Sequence, residues 1–166
     1  MTPPRPTRPS FPARKEPGET GTPSRDLEEM PWSNVTERLA RAKHYWLVTV
    51  GLRGTPHVIP VDAIWHDDRL YFASSAKTAT ARNVIRDPRV VAHLEDARAV
   101  VIIEGLAERC DATLLPSAIP ELYAQKHGPR LNPADPEMPF FLIRPSAVWT
   151  WEASDIRRTS IRWVFD

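Results

Sequence analysis

The segment YWLVTV-GLRG-TPHVIPVDAIW, residues 45 to 65, decides the fold. Tyr45 to Val50 and Thr55 to Trp65 are rich in β-branched and aromatic residues, which favour strands. The stretch Gly51 to Gly54 between them is typical of a turn, so the segment predicts a β-hairpin. A polar turn then leads into a third strand at Leu70 to Ala73. Three strands in succession with short connections predict an antiparallel meander.

On the C-terminal side, helix-forming residues from Thr78 to Arg86 stop at Asp87-Pro88, because proline disfavours helix at the residue before it. Ala99 to Leu106 is nearly continuous in apolar residues, as expected for a strand buried on both faces. The remaining predicted elements are a strand over Val90 to Leu94, a helix over Leu114 to Lys126 that ends near Gly128, and strands over Phe140 to Ile143, Val148 to Trp151 and Ile161 to Phe165.

On the N-terminal side, Pro31 to Lys43 has the spacing of a short amphipathic helix, with Asn34 and Glu37 placed as a capping box. Residues 1 to 30 contain seven prolines and ten charged residues. So little apolar surface cannot offset the chain entropy of folding, and we expect a disordered tail there.

About seven short antiparallel strands with two or three helices predict a mainly β protein of the α+β class, closed or partly closed into a barrel. This barrel would occupy residues 31 to 166 as one domain. The six glycines do not cluster, so neither type of glycine-rich phosphate loop is present.

Composition excludes several classes of function. With 22 basic and 21 acidic residues, the chain lacks a broad positive field that would attract nucleic acids or acidic membranes. No apolar run approaches the length of a membrane span, and the start of the sequence does not resemble a signal peptide. Cys110 is the only cysteine, which suits a reducing compartment, and we expect a cytoplasmic protein.

Three segments carry a resemblance to a known family. They are the hairpin from Gly54 to Val61 with Arg69 to Phe72, the run Arg82 to Val90, and the C-terminal Arg144-Pro145, Trp149 to Trp151 and Thr159 to Phe165. Across about residues 34 to 166 the chain resembles the flavin-binding split-barrel family typified by pyridoxamine phosphate oxidase, especially its actinobacterial, deazaflavin-linked branch.

The resemblance implies an antiparallel split β-barrel that binds a cofactor between the two subunits of a homodimer. It favours the deazaflavin F420, with FMN as the alternative. The cofactor phosphate is expected against the loop between the third strand and its helix, and the ring along the second strand. The implied cofactor-binding residues are Pro60, Val61 and Ala63 beside the ring, Ser74, Ser75, Lys77, Thr78, Thr80, Arg82 and Asn83 around the phosphate, and Trp163 from the C-terminal segment.

The loop itself is compatible with this role, because it offers hydroxyl groups, the cations Lys77 and Arg82, and the free amides of a helix N-terminus. An alternative is an ordinary helix cap that needs no ligand. Asn83 could likewise bind backbone groups only. The family commonly has a lysine three residues before this asparagine, where the chain has Thr80, and Lys77 is the candidate replacement.

Other residues give weaker signals. Trp149, Trp151 and Trp163 could lie beside a planar ring or pack in the core or a dimer interface. The five histidines are scattered, so we expect no metal site, and none is singled out as a haem ligand. Cys110 has no identifiable base, and we assign it no catalytic role.

Taken with the resemblance, these features lead to the hypothesis of an F420-dependent oxidoreductase that transfers a hydride to or from a small conjugated molecule, acting on CH–CH groups. The alternatives are an FMN-dependent enzyme similar to pyridoxamine phosphate oxidase and a non-catalytic flavin- or deazaflavin-binding protein.

Overall fold

A computed structural model describes residues 2–9 and 30–166 of the chain. Within them lie eight strands and four α-helices. In chain order these are β1 (Arg5–Thr7), α1 (Trp32–Arg41), β2 (His44–Val50), β3 (Pro56–His66), β4 (Arg69–Ala73), α2 (Ala79–Arg86), β5 (Arg89–His93), β6 (Ala99–Arg109), α3 (Ala118–His127), β7 (Phe140–Glu152), α4 (Ile156–Thr159) and β8 (Ile161–Val164).

The strands form one antiparallel barrel. Six of them follow the order β7-β4-β3-β2-β5-β6, and β6 pairs with β7 to close the ring. Strands β8 and β1 extend the sheet from β7. This confirms the predicted mainly β, α+β barrel. The fourth helix was not predicted, because α4 is only four residues long and has little helical periodicity to detect.

The predicted hairpin is present, with His44 opposite Asp62 at one end and Val50 opposite Pro56 at the other. Strand β3 is longer than its neighbour β4, which pairs with it only between Ala63 and His66. Between Pro56 and Asp62, β3 therefore has no strand partner on its β4 side among residues 2–9 and 30–166. We call this unpaired stretch the open edge of β3.

Strand β7 is continuous, although the sequence predicted two separate strands there. Its register with β6 shifts between Glu104 and Gly105, and Gly105 lies opposite Pro145. A Cβ atom on Gly105 would lie 2.3 Å from the carbonyl oxygen of Arg144. Proline has no N–H to donate to the neighbouring strand. The register shift opposite Gly105 accommodates Pro145, so β7 continues through this position.

Two apolar clusters form the core. Inside the barrel, large side chains such as Tyr45, Leu47, Phe72 and Ile103 are fully buried. A second cluster lies beneath α3 and consists of Ile64, Tyr71, Ile119, Tyr123, Phe140 and Leu142. No helix of the described residues is long and apolar enough to cross a membrane.

The N-terminal expectations need two corrections. Residues Arg5–Thr7 of the expected disordered tail pair with Arg162–Val164 of β8, because the free edge of a strand can bind almost any extended segment through its backbone. The rest of that prediction, over residues 10–29, lies outside the described residues. Helix α1 begins at Trp32 after Pro31, so Asn34 and Glu37 do not cap it, and the carbonyl of Pro31 instead accepts the Asn34 amide.

Candidate functional site

The open edge of β3 and the loop after β4 lie on the same side of the barrel wall. Phe72 of β4 is opposite Ala63 of β3, and β4 ends one residue later at Ala73. The loop from Ser74 to Thr78 therefore begins where the open edge ends. This loop leads from the end of the open edge to the N-terminus of α2, which begins at Ala79.

The hydroxyl groups of the loop bind each other and the backbone. Ser74 Oγ lies 2.9 Å from Thr78 Oγ1, which also accepts the Ala81 amide at 3.1 Å and donates to the Ser75 carbonyl at 2.9 Å. Ser75 Oγ accepts the Lys77 amide at 3.3 Å. The structure thus has the helix cap considered above as the alternative, and Ser74, Ser75 and Thr78 shape the loop.

The groups left for an anion are amides and cations at the N-terminus of α2. The amides of Ala79 and Thr80 have no acceptor within the described part of the chain. The Lys77 ammonium pairs with Glu137 at 2.6 Å, and the Arg82 guanidinium donates to the Lys77 carbonyl at 2.6 Å. Both side chains of the Lys77–Glu137 pair are more than half exposed, so this ion pair contributes only about 0–1 kcal/mol and can be exchanged for a phosphate.

Thr80 and Asn83 are buried, in contrast to the surface role implied by the resemblance. The Asn83 amide donates to Thr49 Oγ1 at 3.0 Å, and its oxygen accepts from Arg86 at 3.0 Å. Asn83 therefore links α2 to β2 in a structural role, through side-chain partners and not through the backbone groups expected from the sequence. The Thr80 hydroxyl is enclosed and has no partner among the described residues. A hydroxyl enclosed in this way does not replace the long cationic side chain that the family commonly has here.

The three residues expected beside the ring differ in orientation. Pro60 is exposed on the outside of the barrel, whereas the side chains of Val61 and Ala63 belong to the barrel core. The Ala63 carbonyl accepts from Lys126 Nζ at 3.5 Å and from His127 Nε2 at 3.3 Å, so it is already bound. The backbone of the open edge, from Pro56 to Asp62, is not paired with β4 and offers positions for a planar ligand.

Trp163 of β8 is buried in the larger core cluster. Only 3% of the residue is exposed, its indole N–H donates to Thr150 Oγ1 at 3.1 Å, and its ring centroid is 5.2 Å from that of Trp32. This placement is the packing role considered for the tryptophans. Within the single chain Trp163 therefore packs in the core, and its place at a site shared with a second copy stays a prediction.

An apolar surface on the outside of the barrel was missed by the sequence reasoning. Side chains of β6 alternate, so that Val101 and Ile103 are buried but Ile102 and Glu104 are partly exposed and Leu106 is 52% exposed. Neighbouring strands continue this surface through directly paired residues. We define the outer apolar face as Trp46, Val48, Val58, Pro60, Val91, Ile102 and Trp149. The apolar run of β6 was the available signal, since it indicated burial on both faces.

A polar cluster was also missed, because only the strand register reveals it. His44 Nδ1 lies 2.8 Å from Asp62 Oδ1, and His127 Nδ1 from α3 lies 3.7 Å from the same oxygen. Burial lowers the pKa of His127 and lowers that of Lys126 to about 8.

Cys110 lies outside this cluster. Burial raises the pKa of Cys110 to about 11, so its reactive thiolate is scarce at neutral pH.

Comparisons with known proteins agree with this architecture. The family model described as pyridoxamine 5'-phosphate oxidase matches residues 32–152. An F420 reductase structure is 26% identical with a TM-score of 0.53, over 68% of this chain and 94% of that one. No curated protein matches the sequence.

Two other solved structures share the fold at lower identity. The conserved hypothetical protein Rv2991 from Mycobacterium tuberculosis is 23% identical with a TM-score of 0.60, over 74% of this chain and 85% of that one. The heme storage protein HutZ from Vibrio cholerae is 16% identical with a TM-score of 0.60, over 71% and 92% of the two chains.

Proposed function

The chain belongs to the pyridoxamine 5'-phosphate oxidase family, and from this premise we propose that it is an oxidoreductase that binds F420 and transfers a hydride to or from a small conjugated substrate. The likeness to an F420 reductase supports this choice of cofactor over FMN. A single cysteine with no disulfide partner supports a cytoplasmic location.

The proposal is carried by the open edge of β3 together with the loop from Ser74 to Thr78, which starts where that edge ends and leads to the N-terminus of α2. Two free amides, Lys77 and Arg82 give that end of α2 a positive potential, which suits the phosphate of the cofactor. The unpaired backbone of Pro56 to Asp62 can bind the polar edge of a planar ring in the way that it would bind a further strand. Hydride transfer is the chemistry that the cofactor supplies when bound.

The outer apolar face supports the proposal that the protein is a homodimer. Trp46 and Val58 are 37% and 48% exposed in the single chain, and His93 of β5 joins Trp46 to Ile102 of β6. Contiguous apolar surface of this kind marks an interaction site. A second copy of the chain fits best. The face borders the open edge of β3, so a second copy that packs on it would also cover a ring bound at that edge.

A direct test is a titration of the purified protein with F420, FMN and haem, followed by fluorescence or absorbance and then by turnover with conjugated acceptors. F420 is expected to bind and to support turnover. Preferred FMN turnover would move the protein to the alternative enzyme class, and tight binding without turnover would make it a non-catalytic carrier. No binding by any of the three would contradict the proposal.

The same titration tests the phosphate site through Lys77→Ala. Loss of a charge-assisted contact of about 1.5–3 kcal/mol should weaken F420 binding roughly tenfold to a hundredfold. Arg130→Ala is the matched control, since Arg130 also forms an exposed ion pair, with Glu121, but lies in the segment after α3. Equal affinity in both variants would exclude Lys77 as a cofactor contact.

A further inference from the structure

We propose that His44 and Asp62 form a proton-transfer dyad, with the His44 imidazole as the acid or base that acts on the substrate. This inference rests on the proposed function, because it assigns the proton that must accompany hydride transfer. Nothing in the sequence pattern pairs these residues, which are brought together by the register of β2 and β3.

The hydrogen bond between the two side chains determines which imidazole nitrogen is available. Asp62 Oδ1 lies 2.8 Å from His44 Nδ1, so the carboxylate holds a proton on that nitrogen. The other nitrogen, Nε2, has no partner within residues 2–9 and 30–166, and 51% of the side chain is exposed. The imidazole can therefore take up or release a proton at Nε2, in the arrangement that a carboxylate imposes on a catalytic histidine.

Helix α3 holds the dyad in place from the other side. The His127 side chain is only 2% exposed and lies with Nδ1 3.7 Å from Asp62 Oδ1, while its Nε2 lies 3.3 Å from the Ala63 carbonyl. Lys126 donates to the Ala40 carbonyl at 2.8 Å, and the Tyr123 ring packs on His127. Within the described residues, no three potential ligands meet as a metal site requires. The cluster thus consists of the acid–base pair His44–Asp62 and of α3 residues that pack beside it.

The dyad lies at the border of the candidate site. Asp62 is the last residue of the open edge of β3, two positions after Pro60, and both residues lie on the outside of the barrel. His44 is two positions before Trp46, which is opposite Pro60. A substrate held beside a ring at the open edge, at the border of the outer apolar face and next to the second copy, would therefore meet His44.

The step balances for reduction of an activated carbon–carbon double bond. One carbon receives a hydride, which brings two electrons and one proton from a reduced deazaflavin or flavin. The neighbouring carbon receives the proton from Nε2 of the imidazolium. The bond becomes a single bond, the cofactor is oxidised, and the neutral imidazole regains a proton from water. Oxidation is the reverse, with His44 as the base.

The first experiment examines the dyad without cofactor. Nitrogen-15 NMR of the imidazole should show neutral His44 with its proton on Nδ1, and Asp62→Asn should shift the population towards the Nε2–H form. The matched control is the His66–Asp67 pair at the far end of β3, where the carboxylate is 3.3 Å from Nε2 and so favours the opposite tautomer. A wild-type His44 protonated on Nε2 would overturn the proposal.

The second experiment measures single-turnover reduction by bound, reduced F420 across pH. His44→Gln should lower the rate about a hundredfold and remove one ionisation from the pH profile, with cofactor affinity unchanged. His66→Gln should change the rate less than about twofold. If F420 binds and His44→Gln reacts at the wild-type rate, the dyad is excluded while the proposed function stands. If no cofactor binds at all, both fail.

Discussion

Trp163 and Trp149 differ in whether the indole N–H has a hydrogen-bond acceptor. The Trp163 indole N–H donates to the buried Thr150 hydroxyl, whereas the Trp149 indole N–H is enclosed and has no acceptor among the described residues. Removal of a buried donor should lower the free energy of unfolding more when the donor is bound than when it is unbound, because only the first removal leaves an acceptor without its hydrogen bond.

Trp163→Phe should therefore lower the free energy of unfolding by about 1–3 kcal/mol through loss of this bond, in addition to the smaller ring. Denaturation in urea measures the loss, and F420 affinity should not change because the Trp163 side chain is buried in the core with its N–H bound to Thr150. Trp149→Phe is the matched control and should cost clearly less. If Trp163→Phe binds F420 more weakly than wild type but unfolds with the same free energy, Trp163 contacts the cofactor.

At this scale the sequence could identify residue types but not their partners. It placed hydroxyls at Ser74, Ser75 and Thr78 and cations at Lys77 and Arg82, which surround the α2 N-terminus in the structure. Whether a hydroxyl caps its own helix or faces a ligand depends on side-chain rotation, which local pattern does not encode. The burial of Trp163 and the His44–Asp62 contact depend on strand register and were not predictable.

Helix α3 is attached to the barrel through its last turn. Lys126 and His127 both reach the Ala63 carbonyl of β3, and burial keeps the pKa of Lys126 near 8, below its ordinary value of 10.5. The unfolded chain thus holds the Lys126 proton more tightly than the folded one. Stability contributed at this position rises with pH between about 8 and 10.5 and is constant below that window.

Lys126→Met should remove this dependence. The difference in unfolding free energy between wild type and Lys126→Met should grow in favour of wild type as the pH rises from 8 to 10.5, because Cys110 and Tyr123 titrate in both proteins and cancel. Chemical denaturation at several pH values measures it. In Lys43→Met, which replaces an exposed lysine, the unfolding free energy should depend on pH as it does in wild type. The same pH dependence in Lys126→Met and wild type would contradict a buried Lys126 in the last turn of α3.

Elements with strong local patterns were predicted well. The β2–β3 hairpin, β4 and α2 agree with the expectation within about two residues, since alternation, turn glycines and the proline after Asp87 are local signals. Strand β1, the junction within β7 and the N-terminal cap of α1 were not predicted. Each depends on a partner distant in sequence or on the fixed backbone of a proline.

For the whole molecule, family membership and barrel topology are established, and assembly with cofactor is the central proposal. The single chain leaves Trp46, Val48, Val58 and their neighbours of the outer apolar face uncovered beside the open edge of β3. A charge within this face should separate two copies and weaken the shared cofactor sites together, because an unpaired charge buried at an interface is costly.

Native mass spectrometry of the protein with F420 tests this claim most directly, with Trp46→Glu as the variant and Leu114→Glu as a control at a position that is 81% exposed and outside the face. We predict a wild-type and Leu114→Glu dimer that carries two F420 molecules, and a Trp46→Glu monomer that carries none. A wild-type monomer that binds F420 tightly, or a dimer that binds none, would contradict the account.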